Sequence, residues 1–521
     1  MQKTVCLLLA VLLCLTTFPI CASAASDDLH MFVTSDVHWK TPEDVAPDGF
    51  FRPRDDLGQM TSLAPAIFTR FLQDAAASDV DCVLLSGDMT NFNVDTEVVP
   101  FTELLADFEA QTGKQIYVVP GNHDIDMNND PNDHLRFRRN YSRFGYEEAI
   151  AVDEATSSYT ADLNDTYRLL AINSNKPDGG GVITDAQLAW IEAQAKQAKA
   201  DGKNLIAMMH HHLMEHLTLE QTIDGFYILD NYKQVCRLFD KYDIRLTFTG
   251  HLHLGDIAAY KGIHTIYDVT TASLATYPLT YRDVTLTDKE IRLESRTIDK
   301  LDEALIPQGY SAEQREMIVN DPVRYAYGCV EDSLVGDYIG RFVDLENLID
   351  MLGLEPDSVG AKAIRRILPD VLIPLYGEGE TVEAKAKALG YTLPESDYET
   401  VGDLITAFWA AMTRGDENFG GSSPEGKLFL DAAYALFAAK AAQESPVVRA
   451  LLSAKIIARL GLKGVNNIFT RKALDLILTG LMVDKGPADN DVTLPGYGAI
   501  TSGFLYGIYV VFQKILQLLH P

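Results

Sequence analysis

Five short blocks of metal-ligand-type side chains recur in the first half of the chain, and almost every one comes directly after an apolar run. They are Asp36-Val37-His38, Gly87-Asp88, Gly121-Asn122-His123-Asp124, His210 and Gly250-His251-Leu252-His253. The apolar runs in front of them span 29–34, 83–86, 116–119, 205–209 and 245–249, and each reads as a short β-strand. A single Asp-x-His or His-x-His carries little information. Five such blocks, each at a strand end, require a fold in which several strands finish at one place. Open α/β sheets bind ligands at the carboxyl ends of their strands, so one site holding two metal ions is expected there.

The intervening pattern supplies that fold. Helices are expected at 63–76, where Leu63, Ile67, Phe71 and Leu72 share a face, at 101–110 with Gly113 as a stop, at 184–200 and at 232–239. A further strand is expected at 167–172, and from 257 to 297 the pattern becomes strand-turn-strand. Strand–helix alternation that closes in hairpins implies a layered α/β fold with a mixed sheet. Beyond about residue 300 strand signals nearly vanish. A helical apolar stripe covers 334–352, Ser423-Pro424 and Ser445-Pro446 read as N-cap and N1 pairs, and apolar helices are expected at 471–482 and 503–519. The expected division is a catalytic domain at 25–300 and a mainly helical domain at 301–521. The run 499–519 contains Gln513, Lys514 and Gln517, whereas a membrane span needs about 20 apolar residues. A buried or docking helix is expected there, with membrane or cell-envelope association as the alternative.

With 521 residues the chain is long enough for two or three domains, and 47% apolar with 23% charged residues fits a folded protein. Lys3, an apolar core at 5–15 and Ala22-Ser23-Ala24 have the three parts of a secretory signal, so residues 1–24 are expected to be cleaved and the protein secreted or extracytoplasmic. The net charge of −30 becomes −31 without Lys3, which argues against a general nucleic-acid or anionic-membrane binder. A phosphate-ester substrate would then need a local positive field from metal ions and a few Arg or Lys. Removal of the leader leaves Cys82, Cys236 and Cys329, too few for a disulfide framework and without metal-ligand spacing.

Alternation along an extended strand would point Asp36 and His38 the same way, and likewise His251 and His253. Asp88, alone after its strand, is the natural carboxylate to bridge two ions. Mixed His, Asp and Asn ligation suits Mn, Fe or Zn better than Ca or Mg. Such a pair serves in-line displacement at phosphorus, in which a hydroxide held by one ion attacks and both ions neutralise the phosphoryl oxygens. His123 follows Asn122 directly, so its ring is expected to approach from another side and protonate the leaving alkoxide, with Asp124 orienting it.

In this order the blocks resemble the calcineurin-like metallophosphoesterase superfamily over about residues 29–300. The resemblance implies a four-layer α/β/β/α sandwich around a di-metal centre. It assigns Asp36, His38, Asp88 and His253 to the first metal, Asp88, Asn122, His210 and His251 to the second, and the catalytic role to His123. Purple acid phosphatases of this superfamily carry Tyr three residues after the bridging Asp. Asn91 stands at that position, which speaks against a tyrosinate-bound ferric centre, and the run is more similar to the bacterial cyclic-nucleotide-phosphodiesterase-like branch. Secreted 5′-nucleotidases add a mixed α/β domain that 301–521 does not resemble.

The remaining candidates are weaker. His211 and His212 are expected to line the entrance or pack nearby, and His134 and His216 to be surface histidines. The segment 39–58 holds Phe50, Phe51, Arg52 and Arg54 among three prolines, and is expected as a substrate lip in which Phe51 stacks and Arg52 or Arg54 meets phosphate. The leading function is an exported di-metal phosphoesterase acting on a small phosphate ester. The alternatives are a catalytically silent scaffold of the same fold, or an envelope-docking protein in which the helical region has the main role.

Overall fold

The computed structural model describes residues 27–41, 58–217, 220–223, 225–333, 373–415, 417–420, 422–438, 483–484 and 486–498, with 365 and 475 as isolated positions. The leader at 1–24, the lip residues Phe50, Phe51, Arg52 and Arg54, the Ser445-Pro446 pair and the helices expected at 334–352, 471–482 and 503–519 lie outside the described residues.

The strands in chain order are β1 (Leu29–Thr34), β2 (Cys82–Leu85), β3 (Gln115–Val118), β4 (Ala151–Val152), β5 (Tyr159–Asp162), β6 (Tyr167–Ala171), β7 (Asn204–Met208), β8 (Leu246–Thr249), β9 (Asp256–Lys261), β10 (Thr265–Thr270), β11 (Thr280–Leu286), β12 (Glu290–Thr297) and β13 (Asp491–Pro495). They form two mixed sheets, ordered β13-β12-β11-β1-β2-β3 and β4-β5-β6-β7-β8-β10-β9. The strands ahead of the ligand blocks are parallel neighbours, β1 with β2 and β2 with β3 in one sheet, β7 with β8 in the other. Their carboxyl ends therefore share one edge of each sheet.

Period-two alternation decides the layers. In β1, Leu29, Met31 and Val33 join Leu84, Ile206, Met208 and Phe248 in a core between the two sheets, whereas Phe32 faces the other way. Phe32 packs with Phe68, Phe71 and Phe101 from α1 (Ala64–Ala77) and α2 (Asp95–Thr112). After α3 (Asp133–Asn140), α4 (Asp185–Ala200), α5 (Glu220–Ile223) and α6 (Tyr232–Tyr242), a third core joins Ile191, Val235 and Phe239 to Leu170, Leu205 and Ala207 on the outer face of the second sheet. The order is helix, sheet, sheet, helix, as expected. Local signals explain the helix ends: Thr184 and Gln187 close a capping box on α4, and Gly113 ends α2 at φ 73°.

The C-terminal part contributes α7 (Ala312–Asn320), α8 (Pro322–Glu331), α9 (Val382–Ala388), α10 (Val401–Arg414) and α11 (Pro424–Ala433), the last capped by Ser423 as the Ser-Pro pair suggests. It does not stand apart from the first 300 residues. Ile318, Tyr325, Val330 and Ala410 enter the same core as α1 and α2. β13 adds to the edge of the first sheet, pairing antiparallel with β12 from Glu290↔Pro495 to Glu294↔Asp491. Pro495 is tolerated because the strand lies at an edge. Cys82, Cys236 and Cys329 are buried and free. No helix among the described residues is long and apolar enough to cross a membrane.

Candidate metal centre

The ligand blocks begin where the strands stop. β1 ends at Thr34, and Asp36 and His38 adopt the left-handed region at φ 53° and 48°. Asp88 at 50°, His251 at 73° and His253 at 61° do the same. Strand alternation is thus not what brings Asp36 and His38 together, nor His251 and His253. Tight left-handed turns do, and each non-glycine residue held there costs of order 1–3 kcal/mol, to be offset by the surrounding structure. The backbone bonds of Asp36 N to Gly87 O, and of His38 N to Asp88 O, fasten the first two turns to each other.

The turns converge. One donor atom each from Asp36, His38 and His253 lies within 4.8 Å of the others, and the same holds for Asp88, His210 and His251. A third such trio, His38, Asp88 and His123, joins the two through Asp88. His210 Nδ1 bonds Ser86 O at 2.9 Å, which leaves Nε2 facing Asp88 Oδ2 at 3.3 Å and the Asn122 side-chain oxygen at 3.1 Å. His253 Nε2 stands 3.3 Å from Asp36 Oδ1 and 3.2 Å from His38 Nε2. Asp36 also accepts from His251 N at 3.0 Å, which ties the two sheets together at the site.

This donor set fits a pair of cations. His251 Nε2 is buried without a hydrogen-bond partner, and His38 Nε2 faces both His253 Nε2 at 3.2 Å and Asp88 Oδ2 at 3.9 Å. The glycines leave room for the carboxylates: a Cβ at Gly121 would fall 2.1 Å from Asp88 Oδ1, and one at Gly250 would fall 2.5 Å from Asp36 Oδ2. Burial drives His38 down to about 3 and His251 well below its usual range, so both rings are neutral and able to ligate. Burial opposes ionisation of the carboxylates, but His253 holds Asp36 below its ordinary value, and His210 with His123 holds Asp88 well below. Burial also opposes a charged His210, but Asp88 outweighs it and raises the pKa to about 9.

His123 is the exposed member of the cluster. Its Nδ1 bonds Asn91 O at 2.8 Å, and its backbone N–H donates to Asp88 Oδ1 at 2.8 Å. Desolvation works against its charged form, but Asp88 and the Asn91 carbonyl prevail and its pKa is raised. The orienting contact is therefore Asn91 O, not the Asp124 carboxylate. Asp124 accepts instead from Met89 N, Thr90 N and Gly121 N, clamping the 88–91 turn to the 121–124 turn. Burial and the nearby Asp88 push Asp124 up to about 6. His211 is wholly buried, bonded to Ser174 Oγ and Gly179 O, and its ring packs on His251 at 4.5 Å, so it presents no open face to a substrate. His134 and His216 are not surface histidines. His134 is buried against Ser157, and His216 lies between Asp256 at 2.5 Å and Asp268 at 3.1 Å. His212 is buried beside Glu220.

Residues 29–255 match the family description calcineurin-like phosphoesterase. The chain carries a calcineurin-like phosphoesterase domain. A cAMP/cGMP dual specificity phosphodiesterase of Mycobacterium tuberculosis is 24% identical over 201 residues, which are 38% of this chain and 55% of that protein, so the match spans about half of the relative. Among solved structures, a dimetal phosphatase from Danio rerio is 11% identical, with 52% of this chain and 96% of that chain covered at a TM-score of 0.39. A predicted phosphoesterase from Streptococcus pneumoniae is 14% identical, with 52% and 91% covered at a TM-score of 0.25.

Several residues beside the phosphoesterase domain's ligand blocks carry no local sequence signal. Asn91 acts through its carbonyl, which any residue would supply. A cavity of about 180 Å³ lies over His38, Asp88 and His253, and its other walls include Gln59, Tyr277, Phe226 and Trp409. Gln59 stands just beyond the lip segment, with its amide nitrogen 3.4 Å from His253 Nδ1. Trp409 comes from α10, outside the matched residues, and nothing in its own neighbourhood of the sequence points to the site.

Proposed function

We propose that this protein is an exported, metal-dependent phosphoesterase that hydrolyses a small phosphomonoester or phosphodiester. The convergence of the Asp36–His38–His253 and Asp88–His210–His251 trios, with Asp88 reached from both sides, is the observation that carries the reading. Asp36, His38, Asp88 and His253 would hold one ion, and Asp88, Asn122, His210 and His251 the other. Mn, Fe or Zn, when bound, supplies Lewis-acid polarisation of the phosphoryl oxygens and acidifies water.

The chain's own residues set the rest. The Asn91 carbonyl can only accept, so Nδ1 of His123 carries hydrogen and Nε2 is the nitrogen that delivers a proton to the leaving alkoxide. Burial opposes the charged ring, but Asp88 and the Asn91 carbonyl favour its protonated form. Asp124 fixes the turns bearing Asp88 and His123 relative to each other, a positioning role. The leader-like N-terminus and the acidic composition support export, and the apolar C-terminal run at 499–519 is proposed as the route to any cell-envelope contact. The name of the mycobacterial relative makes cyclic phosphodiesters a natural class to assay.

Purified full-length protein with added Mn should hydrolyse para-nitrophenyl phosphate or its bis-nitrophenyl diester, and Asp88→Asn should abolish the activity. Equal rates in the two proteins would end this reading, and no hydrolysis by either would favour the silent scaffold.

A further inference from the structure

The C-terminal helices reach the ligand cluster itself. The cavity above His38, Asp88 and His253 is closed on its far side by Val330 of α8 and by Trp409 and Thr413 of α10. These helices are fastened in place. The Gly58 backbone lies so near α8 that a Cβ there would stand 2.9 Å from Val330 Cα. Tyr277, another wall of the cavity, packs edge-on against Tyr327 of α8 at 5.4 Å. At Gly255, two residues beyond His253, a Cβ would meet Thr413 O at 3.0 Å, so the end of α10 rests on the turn that carries a ligand. Farther along, β13 is hydrogen-bonded to β12, which returns the chain to the catalytic sheet.

Aromatic rings cluster in the walls. Trp409, Tyr277, Phe226 and Tyr227 bring aromatic surface, and the last two rings lie 5.1 Å and 4.9 Å from the His251 ring. Phe226 is 40% exposed although large and apolar. Among the described residues that line the cavity there is no Lys or Arg. At about 180 Å³ the space is below the ~300–1,000 Å³ of sites for drug-sized ligands, so it holds a phosphoryl group and one small substituent. Aromatic surface on these walls favours a flat substituent on the ester.

We infer that the α8–α10 roof selects phosphate esters bearing a small planar arm, and that Trp409 is the specificity-determining residue that stacks on it. This rests on the phosphoesterase reading above and adds the substrate class to it. It also gives the C-terminal region a task at the active site.

Phenylphosphonate and methylphosphonate share a head group and differ only in the arm, and neither has an ester bond to break. Calorimetric titration of the Mn-loaded full chain should show phenylphosphonate binding roughly ten-fold or more tightly than methylphosphonate, the range expected for one stacked ring. In Trp409→Leu, which keeps apolar bulk but loses the flat face, the preference should fall to within about three-fold, and Trp409→Phe should restore most of it. Unfolding midpoints of both variants confirm that the roof is seated. Tryptophan emission of the unmutated protein gives a second measurement that needs no variant: phenylphosphonate should shift it and methylphosphonate should not. Absence of a phenyl preference, or its survival in Trp409→Leu, overturns the inference. If the protein hydrolyses nitrophenyl esters yet shows no preference, only this inference falls; if it neither hydrolyses them nor binds either phosphonate, the phosphoesterase reading falls as well.

Discussion

Gly121→Ala tests the site without removing a functional group. Gly121 lies against Asp88, and an added Cβ would stand 2.1 Å from Asp88 Oδ1, 2.4 Å from its backbone nitrogen and 2.8 Å from its Cγ. Real Cβ atoms essentially never come closer than 3.0 Å to another heavy atom. The carboxylate must therefore retreat by about 0.9 Å, the difference between 3.0 Å and 2.1 Å. Rotating the Asp88 side chain gives no relief, because the backbone nitrogen is also too near. Misplacing a catalytic constellation by ~1 Å costs about 10²-fold in rate, so kcat/KM for a nitrophenyl ester should fall by about that factor. Gly113→Ala is the matched control. It stands at φ 73° with nothing within 4 Å of a Cβ, so it should cost about 1–2 kcal/mol of stability through backbone strain and leave kcat/KM unchanged. Steady-state rates and urea unfolding on both variants decide the matter. Gly121→Ala with kcat/KM within about three-fold of the unmutated protein would refute the argument that Asp88 needs this clearance.

Three further outcomes follow from the same geometry. His123→Ala should slow esters of poorly acidic alcohols by about 10²–10⁴-fold and nitrophenyl esters much less, read as a steeper dependence of rate on leaving-group pKa, because nitrophenolate needs little protonation. Mn should raise the unfolding midpoint of the unmutated protein, by about 2.7 kcal/mol in stability at a hundred-fold excess over Kd, and Asp88→Asn should erase most of that shift in calorimetry. His216→Asn should cost about 3–5 kcal/mol in urea unfolding, because it leaves Asp256 and Asp268 facing each other without their buried cation. Burial opposes a charged His216, but the two carboxylates hold its folded-state pKa well above the ordinary value, so its contribution is complete below about pH 6.5 and is lost as pH rises through the folded value. The deficit of His216→Asn should accordingly narrow as the medium is made alkaline, and a deficit that widens with pH would contradict the pairing.

The ligand blocks were legible because their signal is local. Ser86-Gly87-Asp88 states a buried strand, a turn and a carboxylate in three residues, and parallel pairing of β1, β2 and β3 then places the blocks at one sheet edge without further information. The mechanism of convergence was not legible, since a strand-like reading of Asp36-Val37-His38 gives no hint of two left-handed residues. His134 and His216 look like isolated polar residues, and their burial depends on Ser157, Asp256 and Asp268, which lie 23 to 52 positions away in the chain. β13 is the extreme case. Val492 and Leu494 offer a faint alternation and Pro495 reads as a breaker, and only the exposed edge of β12, some two hundred residues earlier, makes Asp491–Pro495 a strand. The same distance hides Trp409, whose helix shows an ordinary apolar face and whose ring meets the site only after that face is packed. Phosphoester chemistry needs a few residue types at strand ends, and those can be recognised one block at a time. The cavity over those blocks is a different matter, because Val330, Trp409 and Thr413 reach it from a part of the chain more than seventy residues beyond the last block.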